Sequence, residues 1–133
     1  MDEIIPNLYI GDLLDANEVS CKYGDEWAII SVTDARPDKT VVPKSFHKRI
    51  TRMFNNELDA NPSALDIIAV RIDASLKEGK KVLIHCSAGI ERSPLTVVWY
   101  LYKKRGMSIN QAYELVQQKR PMVQDRSYWL SRA

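Results

Sequence analysis

A thiol and a guanidinium, Cys86 and Arg92, are separated by Ser87-Ala88-Gly89-Ile90-Glu91. Before them runs Val82-Leu83-Ile84, an apolar, β-branched stretch that predicts a buried strand. After them Pro94 opens a helix over Leu95–Tyr102, near the first helical position where its missing N–H costs little. A strand turning through small residues into a helix N-terminus makes an anion cradle. Loop N–H groups converge there, and the helix dipole favours negative charge. The same field lowers the pKa of a thiol at its mouth, so Cys86 is expected to be a thiolate. A buried, inert strand-end thiol is the plain alternative. Such a thiol would not need an arginine and a glycine-bearing turn after it.

Taken together, His85-Cys86-x-x-Gly89-x-x-Arg92-Ser93 resembles the phosphate-binding loop of the protein tyrosine phosphatase superfamily. Ile4-x-Pro6-Asn7-Leu8-Tyr9-Ile10-Gly11 is similar to the opening of dual-specificity phosphatases, and Ala112…Val116…Arg120-Pro121 to their C-terminal part. The resemblance covers most of residues 4–130, with its specific part at 85–94. It implies a catalytic domain over 1–133 that hydrolyses phosphotyrosine, together with phosphoserine and phosphothreonine, without metal or cofactor. Cys86 would attack phosphorus and form a cysteinyl-phosphate, dividing one hard step into two. The N–H groups of Ser87, Ala88, Gly89, Ile90, Glu91 and Arg92 would hold the phosphate oxygens. The Arg92 guanidinium would pair two of them in a fork, which lysine cannot reproduce. Ser93 is implied to ease departure of the thiolate, and His85 to be structural.

The leaving oxygen also needs a proton, which the family draws from an aspartate upstream of the cysteine. Asp59 is the favoured acid. It lies in the polar segment Asn55-Asn56-Glu57-Leu58-Asp59-Ala60-Asn61-Pro62, free of regular structure and just before the helix leading to the Cys86 strand. Asp66, Asp73 and Glu57 remain open as rivals. Gln124 is a weaker candidate for orienting the hydrolytic water. Glu91 departs from the small residue usual before the arginine. A carboxylate there must turn to solvent or pair with a base, and it disfavours highly charged substrates such as inositol polyphosphates.

The elements that position this loop follow from periodicity. Ile4–Asp12 reads as a short edge strand after a proline turn, with Leu8 and Ile10 facing the core. Residues 13–24 read as a short helix presenting Leu13, Leu14, Ala16 and Val19, followed by Cys21 as a partly buried thiol or, alternatively, a redox partner of Cys86. Trp27–Thr33 is continuous enough to be an interior strand. Residues 46–54 suggest a fainter strand. The basic residues around it (Lys44, His47, Lys48, Arg49, Arg52) read as a solvated edge or as guidance for anions. Pro62–Glu78 is a helix capped by Asn61, stopped by Gly79 and buried along Leu65, Ile68, Ala69, Ile72 and Leu76. Ser108-x-x-Gln111 has capping-box form and opens a helix to about Lys119, ended by Arg120-Pro121. A short helix is expected near 124–131. Strands alternating with helices predict an α/β fold, a single layered domain with a mostly parallel central sheet flanked by helices and the site at the carboxyl ends of its strands.

The chain has 133 residues, a 45% apolar and 27% charged composition and a net charge of +2. These values suit one globular domain and argue against nucleic acid or a membrane surface as partner. Two cysteines make no disulfide framework, so a reducing, cytoplasmic setting is expected. No apolar run reaches the roughly 18 residues of a membrane span. A monomer acting on a phosphorylated protein or peptide is the expectation. Its rivals are an RNA 5′-triphosphatase, a lipid phosphatase or a thiol-chemistry enzyme on the same loop, and a non-enzymatic phosphopeptide-binding module.

Overall fold

Alternation along the strands sorts the apolar residues onto two faces of one sheet. The computed structural model describes residues 1–22, 26–32, 46–49 and 62–132, with 46–49 and 131–132 described as backbone. Its strands are β1 (Asp2–Ile5), β2 (Leu8–Gly11), β3 (Trp27–Ser31), β4 (Phe46–Arg49) and β5 (Lys81–His85). Their helices are α1 (Leu13–Lys22), α2 (Pro62–Lys77), α3 (Arg92–Arg105) and α4 (Ile109–Lys119), with a closing 3₁₀ helix at Ser127–Arg132. The sheet order is β1-β2-β5-β3-β4, parallel except for the β1–β2 hairpin. This is the expected α/β layered fold.

Leu8, Ile10, Ala28, Ile30, Val82 and Ile84 project to one face and pack with residues of α2, α3 and α4, such as Ile68, Val97 and Val116. The intervening Trp27, Ile29 and Leu83 project to the other face, where Ala16 and Val19 of α1 cover them. A period of two thus divides β2, β3 and β5 between two cores. Both ends of α3 are well defined: its first turn follows the loop from β5, and Gly106 ends it with φ of 69°. The Ser108 hydroxyl accepts from the Gln111 N–H while the Gln111 side chain accepts from the Ser108 N–H, the capping box expected for α4.

Several expectations are corrected. Leu8–Gly11 is an interior strand, because Asp2–Ile5 forms its own strand outside it and takes the edge. Leu14 is 75% exposed. At 100° per residue it lies about 160° around the helix from the buried Ala16. Cys21 sits within α1 and is exposed rather than partly buried. The α3 helix starts at Arg92, three residues before Leu95, so the loop's arginine is itself helical. Of the suggested strand at 46–54, Phe46–Arg49 pairs in parallel with β3. Residues 50–54, and the side chains of the basic cluster, lie outside the described residues, as does the whole segment carrying Glu57 and Asp59.

Candidate active site

Parallel pairing brings three strand ends to one edge. Gly11 of β2 and Ser31 of β3 both lie in register with His85, the last residue of β5. Cys86 follows directly. Its side chain is 2% exposed, and its Sγ accepts from the Gly89 N–H at 3.2 Å and the Ser93 N–H at 3.5 Å. The Ser93 hydroxyl lies 3.3 Å from the same sulfur.

The orientation of these N–H groups follows from where the carbonyls go. In a trans peptide the C=O and the next N–H point opposite ways. Every carbonyl from His85 to Arg92 has a partner. That of His85 accepts from the Val32 N–H, that of Ser87 from Leu13, that of Ile90 from Gln124 and that of Glu91 from Leu95. The Cys86 carbonyl lies 3.2 Å from His85 Nδ1. Those of Ala88 and Gly89 accept from the Arg120 guanidinium at 3.2 and 2.9 Å, and that of Arg92 from the Thr96 hydroxyl at 2.8 Å. Bonding these carbonyls to the surrounding framework turns the following N–H groups towards the loop's interior, two of them onto the sulfur. Gly89 is required for this path. Its φ is +69°, and a Cβ there would meet the Gly11 carbonyl oxygen at 2.6 Å.

Burial raises the pKa of the Cys86 thiol. The Ser93 hydroxyl, the Ser93 and Gly89 N–H groups and the Arg92 charge oppose it more strongly, so the thiol is held below its ordinary value. His85 is fully buried, with Nε2 2.6 Å from the Ser31 hydroxyl, and its ring ties β5 to β3. Arg92 is half-buried at the start of α3, with one long contact among the described residues, 3.5 Å, to the exposed Ser87 hydroxyl. Ala88 is exposed, Gly89 buried, and Ile90 and Glu91 intermediate. Glu91 pairs with a base, as its position demanded: Arg126 Nε donates to it at 3.0 Å.

The rival carboxylates on α2 are engaged elsewhere. Asp66 accepts from the Trp99 indole N–H at 2.7 Å, and Asp73 from Lys77 at 2.8 Å and the Tyr100 hydroxyl at 3.4 Å. Trp99 and Tyr100 lie two turns along α3 from Arg92, roughly 10–12 Å at 1.5 Å per residue. The Lys77 hydrogen bond also holds Asp73 below the usual carboxylate range, unsuitable for a proton donor. Gln124 is exposed beside the loop. Its side-chain oxygen accepts from Arg126 while its N–H holds the Ile90 carbonyl.

Sequence reasoning missed Arg120, which it took for a helix stop before Pro121. The side chain is 7% exposed, donates to two loop carbonyls and pairs with Asp2 at 2.7 Å. The available signals were an arginine at the very end of an amphipathic helix and its place in the stretch that resembles the family's C-terminal part, but its partner lies 118 residues away.

Residues 8–131 match the family described as dual specificity phosphatase, catalytic domain, and the chain belongs to it. The family is one of protein phosphatases. Among curated relatives, the chain is 33% identical over 127 residues to dual specificity protein phosphatase 9 of Homo sapiens, covering 91% of this chain and 32% of that protein. It is 32% identical over 127 residues to MAP kinase phosphatase with leucine-rich repeats protein 3 of Dictyostelium discoideum, covering 92% and 14%. The chain therefore spans a third or less of the length of these relatives. The crystal structure of human DUSP28 superposes with a TM-score of 0.82 at 21% identity, covering 99% of this chain and 92% of that one. That likeness concerns the fold. Among the described residues, no helix is long and apolar enough to cross a membrane.

Proposed function

We propose that the chain is a cysteine-dependent phosphatase acting on phosphorylated proteins, with Cys86 as nucleophile. The observation that carries this reading is the loop in which every carbonyl from His85 to Arg92 is bonded, two N–H groups meet the Cys86 sulfur and a guanidinium stands beside it. The thiolate attacks phosphorus, an S–P bond forms and the P–O bond to the substrate breaks. The equatorial oxygens rest on the loop N–H groups and on the Arg92 fork. The leaving oxygen takes a proton, for which Asp59 is the assigned donor. Water then attacks phosphorus, with Asp59 as base, and the S–P bond breaks. The Ser93 hydroxyl stabilises the departing thiolate. His85 fixes the loop from behind.

Phosphotyrosine is the assigned substrate, with phosphoserine and phosphothreonine alongside, presented to a monomer in the cytoplasm. Free thiols at both cysteines fit a reducing compartment. Replacing Cys86 by Ser is expected to abolish turnover of an aryl phosphate while inorganic phosphate still binds. Asp59→Asn should slow turnover by roughly 10²-fold, the scale of general acid catalysis. Comparing phosphate release from phosphopeptides, a phosphoinositide and triphosphate-ended RNA checks the substrate class. Preference for either of the last two would replace it.

A further inference from the structure

We propose that Asp2 is a positioning residue for the phosphate loop, acting on it through Arg120. The inference deepens the phosphatase reading, because it rests on that loop being the oxyanion site. A buried guanidinium is costly unless paired and fully hydrogen-bonded. Arg120 is paired, and each of its three nitrogens donates to a different partner: Nη1 to the Asp2 carboxylate, Nε to the Gly89 carbonyl and Nη2 to the Ala88 carbonyl.

The fork is planar and rigid, so fixing one arm aims the others. Asp2 fixes the first arm from β1, on the outer edge of the sheet. The second and third arms then hold the two peptides whose N–H groups belong to Gly89 and Ile90. The Gly89 N–H is one of the two that reach the sulfur. The same hairpin supplies a second constraint. Asp2 lies in register with Ile10, and a Cβ on Gly89 would meet the carbonyl oxygen of the next residue, Gly11, at 2.6 Å and Arg120 Nη2 at 2.8 Å. The β2 backbone and the charged fork therefore crowd the same side of the loop glycine, and the N-terminal hairpin contributes to both. The carboxylate touches neither substrate nor sulfur. Its effect is to keep two amide groups aimed.

The test uses Asp2→Asn, which keeps shape and removes charge, and Asp2→Glu, which keeps charge. Three quantities are compared with the unaltered chain: the inhibition constant of inorganic phosphate, KM and kcat for an aryl phosphate, and the midpoint pH of iodoacetamide alkylation followed on the Cys86 peptide. For Asp2→Asn the inhibition constant and KM should each rise about tenfold, below the roughly hundredfold that a 1 Å misplacement can cost. The alkylation midpoint should move up, kcat should change less than KM, and Asp2→Glu should restore most of the loss. A lowered thermal midpoint with all three quantities unchanged at 25 °C would overturn the proposal, because the pair would then be structural only. If the unaltered chain hydrolyses no phosphate ester, the proposed function fails. The alkylation midpoint then decides the positioning role by itself, with an unmoved midpoint counting against it.

Discussion

Two arginines approach the same loop, and they are held in opposite ways. Arg120 comes from behind, buried, with its guanidinium engaged by two carbonyls and a carboxylate. Arg92 comes from the front, half-buried, with one long contact among the described residues, to an exposed serine hydroxyl. A cation that holds structure must have its donors satisfied, because an unpaired buried charge is expensive. A cation intended for a ligand keeps donors open to receive one. The difference separates the two sides of the loop: carbonyls and their partners outside, N–H groups, sulfur and a loosely held fork inside.

Substitution should split these roles. Arg92→Lys is expected to lower kcat/KM by about 10²–10³-fold, the scale of losing a preorganised donor to a developing oxyanion. Its unfolding midpoint should hardly move, since changes at loosely engaged sites usually stay within about 0.5 kcal/mol. Steady-state kinetics and thermal unfolding on one sample check both. Arg120→Met reverses the pattern. It leaves two carbonyls without their donor, at about 1–3 kcal/mol each, so urea denaturation should show a loss of about 2–6 kcal/mol. Equal stability losses in the two variants would remove the distinction.

A smaller effect concerns the sulfur. The folded chain holds the Cys86 pKa below its ordinary value, so the thiolate favours the folded state. Above the unfolded-state pKa this stabilisation is fully present. It is lost as pH falls through the folded-state pKa, below which both states are protonated. Between the two values the unfolded chain carries the extra proton. The stability of the unaltered chain relative to Cys86→Ser should therefore rise with pH across that window and then level off. Urea unfolding of both proteins at a series of pH values measures it. A difference that stays flat or shrinks would mean that burial, not the ring of donors, governs the thiol.

How much of this was legible in the sequence follows from the range of each interaction. The strand, the turn and the helix around Cys86 lie within twenty residues, and their signals are local: an apolar run, a glycine, a proline near a helix start. The capping box at Ser108 and the buried stripe of α2 were legible for the same reason. The hidden parts are the long-range ones. Nothing near Asp2 announces a partner at Arg120, and nothing in Glu91 selects Arg126 among the available bases. The edge of the sheet was misread because β1 is four residues long and ends at Ile5, just before Pro6, so its pattern merged with the turn. Leu14 and Cys21 were misplaced because a ten-residue helix with few apolar residues defines its buried face poorly.

The central claim is a thiolate that carries phosphate covalently on Cys86. It is tested most directly by quenching the protein with acid during turnover of an aryl phosphate and mapping the phosphate by peptide mass spectrometry. The expected result is phosphate on the peptide containing Cys86, absent from the Cys86→Ser variant. Turnover at full rate with no phosphate on that peptide, or with phosphate on another residue, would contradict it.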